Sequence, residues 1–127
     1  MSIRIIAYPL PEGSKKGFYL PNADISNVNL AGVDFRAAML ALSDLSGSLL
    51  PNANLSGADL QEAKLVNANL SKVSFEGSSL VNVNLTGADI TDTSFTSAIM
   101  SGVTLPNGEQ YKEGYDLVSQ FGAKSNP

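Results

Sequence analysis

Acid–base chemistry in this chain would fall to carboxylates alone, because its 127 residues contain no His, Cys or Trp. The commonest general base, the thiol nucleophile and most transition-metal ligand sets are therefore missing. Serines are plentiful, but Ser46, Ser56 and Ser71 have no base near them in the sequence pattern. Two carboxylates working as acid and base must converge across a cleft. The glycines occur singly, so none forms a phosphate-cradling loop that opens a helix. The expectation is a protein that is not an enzyme, with no catalytic residue, cofactor, metal or small-molecule substrate.

The feature that must position every side chain is a period of five. Each fifth residue from Leu20 to Leu105 is Leu, Ile, Phe or Met. Two positions earlier stands a small or β-branched residue nearly throughout, as at Ala53, Ala58, Ala63, Ala68 and Val73. Five matches neither the 3.6-residue turn of a helix nor the alternation of a long strand. If the central residue and the one two before it point inward, the residue between them points outward, giving a short extended edge. The other two positions must turn a corner, and Gly32, Gly47, Gly57, Asn22, Asn27 and Asn52 suit that geometry. Short edges joined by tight corners wrap into a parallel β-solenoid. The central phenylalanines Phe35, Phe75 and Phe95 are separated by multiples of twenty, so four edges per coil would stack them in one column with Leu55. At about 4.8 Å per rung, the four and a half coils over 18–107 make a rod of about 22 Å.

The runs Ala53-Asn54-Leu55-Ser56-Gly57-Ala58-Asp59-Leu60 and Val83-Asn84-Leu85-Thr86-Gly87-Ala88-Asp89-Ile90 resemble the pentapeptide-repeat family, with its motif A(D/N)LXX. The resemblance implies an all-β fold, a right-handed quadrilateral parallel β-helix. Departures from the motif put hydroxyls inside at Ser43, Ser48, Ser78 and Thr93, and apolar groups outside at Met39, Leu49 and Ile99. Some members of the family protect or inhibit DNA gyrase as acidic DNA mimics, which makes a gyrase or topoisomerase modulator the alternative function. Mimicry needs continuous columns of carboxylate. Stacked at intervals of twenty, the outward positions read Asp24, Asp44, Lys64, Asn84 in one column and Asp34, Asn54, Ser74, Ser94 in another, so the acidic runs break early.

Both ends of a solenoid must be covered, because an open coil presents unpaired strand edges. Residues 1–17 read as an N-terminal capping arm and 108–127 as a C-terminal cap and tail, with Tyr111, Tyr115, Leu117, Val118 and Phe121 spaced for a short helix ended by Gly122. The alternative for the C-terminal segment is a docking arm. The tail from Gly122 to Pro127 has little of its own to pack and needs something to hold it, which motivates placing the chain in a larger assembly.

A net charge of −4 argues against direct nucleic-acid binding, which requires a basic stripe. The apolar stretch around Ile3, Ile5 and Ile6 is too short for a signal peptide, and no run reaches membrane-spanning length. The expected location is the cytoplasm or a virion. The outward apolar residues Tyr19, Met39, Ala41, Leu42, Val81 and Ile99 fall on one face and are the expected partner-binding set. Together these point to a structural, protein-interaction module, a subunit of a phage virion or another bacterial particle, with protein partners only.

Overall fold

A computed structural model describes residues 17–127; the expected N-terminal arm, apart from Gly17, lies outside them. The backbone pairs each outward residue with the residue twenty positions on, in parallel. Four ladders result. Face 1 carries Tyr19, Met39, Asp59, Ser79 and Ile99; face 2 carries Asp24, Asp44, Lys64, Asn84 and Thr104. Face 3 carries Asn29, Leu49, Asn69 and Asp89, and face 4 carries Asp34, Asn54, Ser74 and Ser94. Each rung is made the same way: Asp59 N donates to Ala38 O of the coil below at 2.9 Å, and Leu40 N of that coil donates to Asp59 O at 2.7 Å. Twenty residues per coil is thus set by hydrogen bonding, and it puts Phe35, Leu55, Phe75 and Phe95 in one inward column. Phe75 and Phe95 stack with ring centroids 5.7 Å apart.

The corners are uniform as well. The second corner residue has a positive φ, between 55° and 74°, at all seventeen positions from Asn22 to Gly102. In nearly every corner the next residue's N–H closes back onto the central carbonyl, as Ala58 N does onto Leu55 O at 3.1 Å. A positive φ at the third of four turn residues is the demand of a type II turn, which Gly and Asn meet at low cost. The one described corner without this closure is Ile25–Val28. There the buried Ser48 hydroxyl of the next coil donates to Ile25 O and accepts from Val28 N. The other inward hydroxyls are also satisfied, Ser43 and Ser78 on their own corners and Thr93 on Leu70 O. The departures from an all-apolar interior are therefore fully hydrogen-bonded, which removes the penalty of burying them.

Glycine is required at some corners for a second reason. On the Gly47 backbone an added Cβ would collide with the Asn27 Oδ1 of the coil below. Gly87 above Asn67 and Gly102 above Asn82 are alike, whereas nothing lies within 4 Å at Gly57. The column Asn27, Gly47, Asn67, Gly87 alternates because each Asn side chain leans over the glycine of the next coil.

After Leu105 the chain reverses through Pro106-Asn107-Gly108 and runs back antiparallel, Gln110 against Thr104, so that face 2 gains one more rung. Helix α1, Leu117–Phe121, follows; Asp116 caps its N-terminus by accepting from Ser119 N, and Gly122 at φ 70° ends it. Leu117 is fully buried, while Tyr111, Tyr115 and Phe121 pack partly buried against the core. The tail then extends face 4. Ser125 pairs in parallel with Ser94, Lys124 N donates to Thr93 O at 2.8 Å, and Asp92 N donates to Gly122 O at 2.8 Å. Asn126 locks the segment by accepting from Leu117 N at 2.7 Å and donating to Asp116. The chain itself holds its tail, so the tail no longer argues for an assembly partner.

Two outcomes follow from these contacts. Gly47→Ala and Gly57→Ala each strain a left-handed residue by about 1 kcal/mol, but only Gly47→Ala displaces an asparagine. Chemical melts should show a further loss of roughly 1 kcal/mol for Gly47→Ala, and Asn27→Gly should abolish the difference; equal losses would contradict the stacking of corners. Hydrogen bonds from Ser119, its hydroxyl first, and from Asn126 hold the Asp116 carboxyl below its ordinary range. Its stabilisation is present above the unfolded value of about 4 and fades as pH falls through the lower folded value. Amide exchange at Leu117 and Ser119 should therefore accelerate below about pH 4, and Asp116→Asn should flatten that dependence.

Candidate functional site

The outward Asp or Asn of the repeat has a defined task. Its side-chain oxygen accepts the N–H of the first corner residue two positions on, which no ladder bond uses. Asp24 serves Ser26, Asn29 serves Ala31, Asp44 serves Ser46, Asn54 serves Ser56, Asp59 serves Gln61 and Asn84 serves Thr86, at 2.9–3.1 Å. At two outward residues that cannot accept, proline removes the need. Tyr19 is followed by Pro21 and Leu49 by Pro51, and proline has no N–H to satisfy. Exposed Leu49 is thereby accommodated within the rules of the scaffold.

Met39 is not. Ala41 follows it with an N–H that has no hydrogen-bond partner among the described residues, and no proline relieves the position. The next residue, Leu42, sits in the left-handed corner conformation at φ 62°, and Ala37 on the preceding corner does so at φ 57°. Gly, Asn and Asp fill twelve of the seventeen such corners; Leu42 is the one with a branched apolar side chain. That conformation costs an L-residue of this kind roughly 1–2 kcal/mol. Leu42 is nevertheless 54% exposed and Met39 40% exposed, so neither repays the local cost by burial.

Tyr19 lies on the rung directly below Met39 and is also exposed, with Phe18 beside it. Phe18 is half packed, its ring edge-on to Phe35 at 5.5 Å, and it joins the apolar surface although the fivefold pattern did not single it out. Ala41 and Val81 are half-buried at the corner between faces 1 and 2. Ile99 is exposed on face 1, but three rungs above Met39, about 14 Å away. The expected six-residue set is therefore two places, separated by Asp59 and Ser79: a cluster of Tyr19, Met39, Ala41 and Leu42 with Phe18, and an isolated Ile99 with Val81.

Carboxylates surround the cluster. Asp59 stands on the rung above Met39, Glu62 on the corner above Leu42, and Asp24 and Asp44 on the adjoining face 2. Hydrogen bonding from Ser26 lowers the Asp24 carboxyl further, keeping it ionised. Lys64 stands one rung above Asp44 on the same face. On face 4 the Arg36 guanidinium is paired with Asp34 at 2.8 Å, and its hydrogen bonds hold that carboxyl at about 2. A shallow groove of about 500 Å³ also opens on face 4, lined by Lys72, Ser74, Glu76, Asp92, Ser94 and Lys124, with both signs of charge present. No group of His, Cys, Asp or Glu among the described residues is arranged to hold a metal ion. No helix among them is long and apolar enough to cross a membrane.

The sequence profile described as Pentapeptide repeats matches residues 19–50, 38–77 and 68–106 with 8 copies. No curated protein matches this chain. Among solved structures, HetL, a pentapeptide repeat protein involved in heterocyst differentiation regulation from the cyanobacterium Nostoc sp. strain PCC 7120, is 30% identical, covering 74% of this chain and 49% of its own, with a TM-score of 0.42. Rfr23 from the cyanobacterium Cyanothece 51142 is 25% identical over 83% of this chain and 71% of its own, at a TM-score of 0.43. A third, alr5209 from Nostoc, is 24% identical over 86% and 81%, at 0.35. This chain thus spans about half the length of HetL. With the repeat profile running from residue 19 to residue 106, the chain belongs to the pentapeptide-repeat family, whose members form right-handed quadrilateral β-helices and mediate contacts between proteins.

Proposed function

We propose that this chain is a non-catalytic protein-binding module that docks a partner through Tyr19, Met39, Ala41 and Leu42. The observation that carries the proposal is Leu42, an exposed branched side chain kept in a left-handed corner beside an uncapped Ala41 N–H. A surface free to drift would settle on Asn or Gly there, as most other corners have. Backbone strain retained at an exposed apolar position is a mark of function. The partner surface that fits has an apolar centre, to cover Met39 and Leu42, and a basic rim, to meet Asp24, Asp44, Asp59 and Glu62. Ile99 and Val81 belong to this site only if the partner spans the rungs of Asp59 and Ser79 between.

The wider setting we propose is a multicomponent particle, such as a phage virion or another bacterial assembly, in which a rigid rod presents its flat faces to neighbours. It is supported by the family's general role in protein contacts. The DNA-mimic alternative has less behind it. No ladder carries more than two carboxylates in succession, and Lys64 reverses the sign on face 2.

The double substitution Met39→Asn/Leu42→Asn separates function from drift. The first change supplies a side-chain oxygen to cap the Ala41 N–H, and the second relieves the strained corner, each stabilising by about 1 kcal/mol. The variant should therefore melt at higher denaturant than wild type. It should also lose the partner, in the trade of activity for stability that interaction surfaces show. Wild-type and variant rods used as paired baits in lysate of the source cell, with quantitative mass spectrometry, make the comparison. Partners retained only by wild type, and released by salt, support the proposal. Equal retention by both rods rules this face out, and a topoisomerase retained by both favours the alternative.

A further inference from the structure

Of the eleven asparagines in the chain, ten precede Ala, Val, Leu or Pro, and one, Asn107, precedes Gly. A glycine amide is the least hindered nucleophile for attack on an asparagine side chain, so Asn107-Gly108 is where that reaction is fastest. Both residues are exposed. They also form the reversal that sends the chain back over the last coil, where Leu105 N donates to Glu109 O at 2.7 Å and Tyr111 N to Val103 O at 2.9 Å.

We propose that Asn107 is a deamidation site whose conversion loosens the hairpin closing face 2 at the C-terminal end. In the reaction the Gly108 nitrogen bonds to the Asn107 Cγ, and the Cγ–Nδ2 bond breaks. Ammonia leaves with the proton from the Gly108 amide, forming a five-membered imide. Water then opens the imide at one of its two carbonyls, giving aspartate or an isoaspartate with one extra methylene in the main chain. No reagent other than water is consumed.

The closed hairpin restrains both reacting groups. Gly108 N donates to Leu105 O at 2.8 Å, and the Asn107 Oδ1 accepts from Glu109 N at 3.1 Å. The Nδ2 donates to Glu109 Oε1 at 3.0 Å and reaches Tyr115 Oη at 3.4 Å. Attack therefore requires opening of the turn, and the reaction records how often the end of the rod opens. The product cannot restore the same contacts. Its carboxylate has lost the donor and stands against the Glu109 carboxylate, and the isoaspartate form also lengthens the turn. Nothing comparable threatens the corners of the repeat, where Asn27, Asn67 and Asn82 are followed by Val, Ala and Val.

The test is to age the full chain at mildly alkaline pH and map the mass gain of amide-to-acid conversion by peptide mass spectrometry. Conversion should concentrate in the peptide containing Asn107, as a mixture of aspartate and isoaspartate. Amide exchange at Leu105 and Tyr111 should then be about tenfold faster in the aged chain and in Asn107→Asp, the scale of one lost hydrogen bond, while Leu65 and Leu85 keep their protection. Glu109→Gln, which removes the repulsion but keeps the turn, should restore part of that protection in the Asn107→Asp background. Conversion spread evenly over the asparagines would overturn the site. Unchanged exchange at Leu105 and Tyr111 after complete conversion would overturn its consequence.

Discussion

The pairing of each outward residue with the residue twenty positions on governs everything else in this molecule. It commits three N–H and three C=O groups per rung to neighbouring coils, the second corner N–H among them, and leaves the first corner N–H with no backbone acceptor. It forces the second corner residue into the left-handed region. The sequence around each centre answers those demands separately: small or apolar residues inside, Asp or Asn to cap the corner, Gly or Asn to make the turn. Because all coils are built alike, any residue that ignores a demand is visible against its neighbours.

That visibility gives the exposed apolar side chains different meanings. Leu49 and Tyr19 forgo the cap but are followed by proline, so the scaffold absorbs them. Met39 and Ile99 forgo it with no compensation, and beside Met39 Leu42 adds strain on the next corner, where Ile99 is followed by Gly102. Scattered apolar residues on a surface are ordinary. Two consecutive violations at one exposed place are not, and the energy they forfeit in the free protein is recoverable when a partner covers them.

Much of the fold was legible in the residues themselves. The period of five, the inward pairs such as Ala58 and Leu60, and the Phe column all follow from spacing and size. The task of the outward Asp and Asn was less accessible, since a polar residue on a surface needs no explanation until its oxygen is found on the corner N–H. With that task known, the prolines at 21 and 51 become readable from sequence. The face-1 set was only partly legible. Stacking at twenty groups Tyr19, Met39 and Ile99 on one face with Asp59 and Ser79 between the last two, but Phe18 lies at the edge of the repeat where the pattern fades. The tail was beyond reach, because Ser125 enters the face-4 ladder thirty-one residues after Ser94, outside any period.

The absence of cysteine allows the register to be tested cleanly. In a twenty-residue coil, Asp59→Cys/Ser79→Cys places two thiols on adjacent rungs about 4.8 Å apart, within the span a disulfide bridges, whereas Asp59→Cys/Ser74→Cys puts them on different faces. Mild oxidation of the folded protein should close the first pair and leave the second as free thiols. Closure of the pair fifteen apart with the pair twenty apart left open would mean three edges per coil, and Met39, Leu42 and their acidic surround would no longer form one surface.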